Sequence, residues 1–497
     1  MNLLKKTVYN LITKVFNIFV GFLYQFLFIP IFIKYLGTEL YGIYIIINKI
    51  QNYFSLIDLR PSAILRYKIS ILQGDKSFLE RNKALTSCLI ISILSLPFFI
   101  LFGILISVLI EKFFKIDPKY IFDVKVTVLL LSIYLGLKSL FGIPDAIIRG
   151  SNLEYKIWYI NTLNLVIYSL LVLFFLIKGY GLIGIIVAMI IVAIIEFFIK
   201  FFVQKKHLNN YKLVKIKWID VKNFFNYSGL YLLASLFMQI LNTFEIIFIG
   251  IVIGSKFITS YFLMRVFIIR ISESIGSIII SLSPTLGDLI SNKNLKKVII
   301  LKNGLYIILF FISVFLMEFF LIFNKKFLEL WVGNEFYLNE TINFFFSLSV
   351  VFIIFISLEE MFINLLFLFK KKVKILFFLI LFFIILSILL FSLFGLTGLA
   401  LSFVISKFLQ FILYMRLSNK KLNFQILINK LVYFIIIFIA INIFIFFRLE
   451  VDVNSINSWL NFVKYTIFYM FLWIILIVFI FNKHLIKFFL FLRKVLK

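Results

Sequence analysis

Fourteen runs of about 20 apolar residues, each long enough to cross the hydrocarbon of a bilayer as an α-helix, recur along this 497-residue chain. These spans lie near 11–33, 40–60, 84–110, 125–147, 157–178, 181–203, 226–253, 258–284, 298–321, 341–369, 374–395, 396–416, 426–448 and 461–482. In lipid every backbone N–H and C=O must find its partner inside the protein. A continuous apolar run does this as a helix, whereas a transmembrane barrel alternates apolar and polar residues. At 63% hydrophobic and 15% charged residues, with a mean hydropathy of +1.12, the chain has more apolar surface than a soluble interior can hide. A soluble enzyme, a fibrous protein and a disordered chain are excluded. The expected class is an all-α polytopic membrane protein with about 14 transmembrane helices.

Fifty-one Lys and Arg against 22 Asp and Glu give a formal charge of +29. In a soluble protein that excess points to nucleic acid; in a membrane protein it marks the cytoplasmic loops, and nucleic acid is not an expected partner. With the N-terminus inside, cytoplasmic segments hold 35 Lys and Arg and outside segments 11, while Lys49, Lys138, Arg265, Arg270 and Lys407 lie within spans. This predicts a multi-pass protein of the cytoplasmic membrane with both termini cytoplasmic. A reporter fused after Lys497 should behave as cytoplasmic and one inserted near Asn454 as external; an external C-terminal reporter would overturn the count. The opening residues run into a full-length span without a cleavage pattern, so no removable leader is expected. Cys88 is the single cysteine, and His207 and His484 are the two histidines, so neither a metal centre nor another cofactor is expected.

The chain echoes itself. Phe28-Ile-Pro-Ile-Phe-Ile33 followed by Tyr41 returns 220 positions later as Phe248-Ile-Gly-Ile-Val-Ile253 followed by Tyr261. Gly181-Leu-Ile-Gly184 returns 214 positions later as Gly395-Leu-Thr-Gly398. Six spans separate each pair, so both copies run the same way through the membrane, which implies two parallel six-helix lobes. The expected organisation is an N-lobe at 1–203, a Lys-rich cytoplasmic linker at 204–225, a C-lobe at 226–416, and at 417–497 two peripheral helices with a basic tail.

Phe28-Ile-Pro-Ile-Phe-Ile-Lys-Tyr-Leu-Gly37, Tyr41-Gly42, Leu56-Ile-Asp-Leu59 and Arg66 resemble the opening of the polysaccharide flippases. These are exporters of lipid-linked oligosaccharides (Wzx-type) in the MATE-like MOP transporter superfamily. Where that family usually has Gly after the Asp-Leu element, this chain has Arg60-Pro61. Ser283-Pro284-Thr-Leu-Gly-Asp288 and Leu330-Trp-Val-Gly333 with Glu335-Phe336 are similar to further family motifs, and the resemblance covers residues 1 to 420. It implies a V-shaped pair of bundles around a central cavity that opens alternately to each side.

Polar residues inside spans are costly and mark function or pairing. In span 2, Asn48, Gln51, Asn52 and Ser55 share a helix face beside Lys49; in span 7, Ser235, Gln239, Asn242 and Glu245 do so; span 8 carries Arg265, Arg270 and Glu273. Span 1 adds Asn10, Lys14, Asn17, Gly21 and Tyr24/Gln25. The expected substrate site is Lys49, Arg265 and Arg270 with Asn48, Asn52, Gln239 and Asn242, facing one cavity between the lobes. Arg grips a diphosphate through two parallel hydrogen bonds, and Lys supplies a point charge. Glu245 and Glu273 are the candidate coupling carboxylates, with H+ or Na+ left open. The alternative for each is structural: an Arg270–Glu273 pair, a Glu245–Arg265 bridge, and pairing of Glu196 and Glu359/Glu360 with Lys138 or Lys407. Asp58, Arg60 and Arg66 read as topological anchors.

The expected function is transport of undecaprenyl-diphosphate-linked oligosaccharide units by alternating access. The partners would be the lipid-linked saccharide and membrane lipids, with polysaccharide assembly proteins as further candidates. A multidrug/cation antiporter and a peptidoglycan-precursor flippase are alternatives in the same class. A membrane saccharide polymerase or glycosyltransferase is the alternative from another class, and enzymatic activity is not expected, since no outside loop carries a His or paired-carboxylate motif.

Overall fold

The fold is that of a computed structural model describing residues 3–54, 61–71, 78–114, 116–151, 153–207, 212–221, 229–280, 282, 286, 289–290, 295–366, 368–422 and 456–473. Regular structure among the described residues is entirely helical. The first helix, α1 (Leu3–Phe54), contains spans 1 and 2. Unbroken, 52 residues at about 1.5 Å each would reach more than twice the roughly 30 Å of hydrocarbon. Gly37, at φ 74° and ψ 171°, breaks the helix between the spans. A short helix that apolar runs do not reveal, α2 (Pro61–Ile71), begins on proline, which is favoured at a first helical position, and buries Leu65 and Ile69 in a cluster with Cys88, Ile91 and Ile147.

Spans 3 to 6 are α3 (Phe78–Phe113), α4 (Ile121–Gly150), α5 (Glu154–Ile177) and α6 (Gly181–His207). Spans 7 to 12 are α7 (Gly229–Val252), α8 (Ser255–Ile280), α9 (Leu295–Trp331), α10 (Glu340–Leu365), α11 (Phe369–Phe394) and α12 (Leu396–Leu422). Part of span 14 is α13, at 459–473. Span 13 lies outside the described residues, as do Ser55, Asp58, Arg60, Pro284 and the side chains of Asn10 and Asn52. Ten of the described helices are long and apolar enough to cross a membrane. The echoes mark shared turns: Gly181 (φ 49°) and Gly395 (φ 59°) each open the link into the sixth or twelfth span.

The chain divides into two compact units, Met1–Thr259 and Ser260–Lys497. Their boundary falls inside α8 rather than in the expected linker at 204–225, because α7 and the start of α8 pack within the first unit. The Tyr53 and Thr243 hydroxyls share a hydrogen bond of 2.5 Å between α1 and α7, and Thr259 Oγ1 donates to the Thr38 carbonyl at 2.7 Å. Gly42 lies so near the Ser255 carbonyl that a Cβ would collide with it.

In the second unit, Asn324 Nδ2 donates to the Met264 carbonyl (3.1 Å) and to Asn343 Oδ1 (2.8 Å), joining α8, α9 and α10. The segment 456–473 packs one face on α9 and leaves Leu460, Ile467 and Phe471 exposed. Ile456, Phe462, Tyr469 and Trp473 are buried against Phe311, Val314, Ile322 and Phe323 of α9. Tyr469 also donates its hydroxyl to Glu318 at 3.0 Å, and Trp473 Nε1 donates to Tyr469 at 2.8 Å.

Candidate functional site

Inside the first unit a cavity of about 610 Å³ lies among α1, α2, α3, α4 and α6. Phe54, Phe99, Tyr134 and Phe197 form apolar walls, and Arg66, Lys138, Asp145, Arg149, Glu196 and Lys200 bring charge into it. The helical repeat explains the clustering: Asp145 and Arg149 are one turn apart near the end of α4, as are Glu196 and Lys200 on α6.

The charges form a chain. Lys200 Nζ lies 2.6 Å from Asp145 Oδ1 and also bonds Glu196. Arg149 Nε is 2.7 Å from Asp145 Oδ2, while its Nη1 is 2.8 Å from Glu154 Oε1, which Arg66 Nη2 approaches at 3.3 Å. Arg149 also lies over the Trp158 ring at 4.9 Å. Burial is graded: the side chain of Lys200 is 6% exposed and Arg149 13%, against 33% for Glu196 and 47% for Arg66. Three cations (Arg66, Arg149 and Lys200) thus meet three carboxylates (Asp145, Glu154 and Glu196), and Lys138 lines the same cavity. The carboxylates Asp145, Glu154 and Glu196 are 24%, 27% and 33% exposed, so an incoming anion can reach the cations and compete for them. The guanidinium fork and the ammonium groups are suited to a phosphate or carboxylate entering from the open side.

A second cluster in the other unit has the opposite character. Lys302 and Glu359, 3.0 Å apart, are both 0% exposed. Lys302 also donates to Ser418 Oγ (2.8 Å) and Asn419 Oδ1 (2.9 Å), and Glu359 accepts from Tyr306 and Ser418. Glu359 follows Asp145 by 214 positions, the spacing that separates Gly395 from Gly181. The first unit's carboxylate borders a cavity; the second unit's is sealed and saturated.

The expected site residues do not all share one setting. Arg265 is 2% exposed and enclosed by Tyr261, Phe346 and Phe403 at 5.2, 5.7 and 5.3 Å, a cation held by aromatic faces inside the second unit. Arg270 lies 3.8 Å from Glu273, both side chains about half exposed, as in the structural alternative. Asn48, Lys49 and Gln239 are half-buried, Asn242 is exposed and Glu245 is 2% exposed. Carboxylate pairing also differs from expectation: Glu196 pairs with Lys200, Glu359 with Lys302, and Glu360 with Lys372 at 2.6 Å. Lys407 is buried over Phe403, while Lys138 is exposed beside Tyr134 and lines the cavity. Asp145, Arg149 and Lys200 were missed as site residues, although their one-turn spacing to opposite charges at span ends was a usable signal.

No protein-family model matches the sequence, and no curated protein matches it. Solved structures do match its fold. The lipid II flippase MurJ, in an inward closed conformation, is similar with a TM-score of 0.71 at 16% identity, over 96% of this chain and 99% of that one. A multidrug resistance MATE family transporter of the MOP superfamily, outward-facing, is similar with a TM-score of 0.61 at 14% identity, over 84% and 96%. A MOP superfamily transporter from Pyrococcus furiosus is similar with a TM-score of 0.57 at 15% identity, over 84% and 96%. The chain is a multi-pass, all-helical membrane protein with the fold of the MOP superfamily transporters and flippases.

Proposed function

We propose that the protein is a flippase that carries undecaprenyl-diphosphate-linked oligosaccharide units from the cytoplasmic to the outer leaflet for cell-surface polysaccharide synthesis. The observation that carries this reading is the first unit's cavity, in which Arg66, Arg149 and Lys200 are paired with carboxylates that an incoming anion can replace and Lys138 adds a fourth positive charge. A diphosphate would take over the hydrogen bonds that Asp145 and Glu154 make to Arg149, so the head group is bound without leaving a buried cation bare. In the orientation expected from the Lys and Arg distribution, the ends of α4 and α6, and with them the charged wall, would face the cytoplasm, where such a substrate is loaded. Transport of this kind needs binding and alternating access but no bond-making step, which also supports a non-enzyme. The likeness to MurJ runs nearly end to end in both chains, whereas that to the MATE transporter leaves 16% of this chain unmatched, and this favours a flippase over a multidrug antiporter. The coupling ion, H+ or Na+, would act at Glu245 or Glu273.

Purified protein in liposomes with a fluorescent lipid-diphosphate oligosaccharide tests the proposal. Head groups should move to the opposite leaflet with no covalent change, and Lys49→Ala should slow this more than Lys49→Arg, because a point charge on the polar face of α1 is what is lost. Formation of new glycosidic bonds, or movement no faster than in empty vesicles, would sink the proposal.

A further inference from the structure

The stretch between α6 and α7 does not hang free of the first unit over residues 212–221. The backbone N–H of Lys212 donates to Asn82 Oδ1 and that of Val214 to Thr86 Oγ1, each at 3.1 Å. Asp220 lies 3.6 Å from Lys83 Nζ and accepts the Lys217 N–H at 3.1 Å. Ile216 and Val221 pack on the cluster that contains Leu65, Ile69, Ala84 and Leu85. Residues 212–217 have no regular structure and 218–221 form a helical turn; Val214, Ile216, Asp220 and Val221 are turned towards the unit, and the residues between them are exposed.

What turns outward is unusual for a loop in water. Leu213 is 62% exposed, Trp218 70% and Ile219 54%, interleaved with exposed Lys212, Lys215 and Lys217. Their depth follows from the hydrogen bonds. Asn82 and Thr86 sit where the charged first turns of α3, with Glu80, Arg81 and Lys83, give way to its long apolar run. A segment pinned to these two side chains lies at the polar–apolar boundary of that helix, the position at which a membrane-spanning helix meets the lipid head groups. Trp belongs at this level because its ring is amphipathic, and lysines there meet the negative charge of the cytoplasmic leaflet.

We propose that residues 212–219 form an interfacial strap that binds anionic phospholipid, with Trp218, Leu213 and Ile219 inserted among head groups and the three lysines on the lipid phosphates. Each lysine near such a surface carries roughly a fivefold bias towards anionic lipid. The strap is independent of the substrate that the protein transports.

The test uses the full chain in vesicles of equal phosphatidylglycerol and phosphatidylcholine, with bromine near the head-group end of the acyl chains of one lipid or the other. The Trp218 signal is the difference between the wild type and Trp218→Phe, since the chain has five tryptophans. Brominated phosphatidylglycerol should quench that signal at least about twofold more than brominated phosphatidylcholine, on the same per-lysine bias, and acrylamide in the water should quench it weakly. The combined Lys212→Gln, Lys215→Gln and Lys217→Gln variant should lose the difference between the lipids while keeping the fold, because all three side chains are exposed. Equal quenching by both lipids overturns the anionic assignment. Acrylamide quenching as strong as that of a free tryptophan derivative overturns the strap altogether.

Discussion

Glu359→Met should destabilise the second unit by about 3–5 kcal/mol, the usual cost of leaving one member of a buried ion pair without its countercharge. Lys302 is wholly buried, and losing Glu359 removes the carboxylate 3.0 Å from its ammonium group while the neutral acceptors Ser418 and Asn419 stay in place. Lys302→Met should cost a similar amount, since it leaves Glu359 with the Tyr306 and Ser418 hydroxyls but no cation. Combining Lys302→Met with Glu359→Met should recover most of the loss, because an apolar pair in that space leaves no buried charge. Thermal unfolding of the four proteins in one detergent closes the cycle. Single-variant losses that simply add in the double variant would show that the two side chains do not act as a pair.

Arg149→Ala should reduce head-group flipping by about 30-fold or more, the loss that follows from truncating one partner of a buried, hydrogen-bonded charge pair at roughly 2–5 kcal/mol. Arg149 holds Asp145 with one nitrogen and Glu154 with another while its plane rests on Trp158. No other cavity cation presents that geometry, so Arg149→Lys should restore only part of the rate. Glu154→Gln should be far milder, since it keeps the shape and frees the guanidinium for an incoming anion. The leaflet-exchange assay gives these rates, and melting curves separate a binding defect from a folding defect. Full activity in Arg149→Ala would remove the cavity from the transport path.

The spans were legible because lipid imposes one length and one backbone solution, and both leave long marks in a sequence. The break at Gly37 was legible too, as the polar gap between spans 1 and 2. Which polar residue faces which neighbour was not. Of the three rings around Arg265 only Tyr261 lies in its own span, one turn away on α8; Phe346 and Phe403 come from α10 and α12, which the span itself does not announce. The packing of α7 on α1 rests on Tyr53 and Thr243, far apart in the chain and individually ordinary. Asp145–Arg149 and Glu196–Lys200 could be read as one-turn pairs, but only the fold places both pairs on one wall. Arg149 and Lys200 entered the sequence reading as cytoplasmic topological charges, because sequence alone gives depth along a helix more readily than direction around it.

Tyr469 and Trp473 also fix how short this protein can be made. A truncated version ending with α12 would strip the aromatic cover from α9 and turn Phe311, Val314 and Phe323 towards acyl chains, which suit them well. Glu318 would fare differently: its neighbour would become hydrocarbon, which donates no hydrogen bond, in place of the Tyr469 hydroxyl. The single carboxylate therefore makes the last described helix obligatory, where greasy contact alone would have left it dispensable.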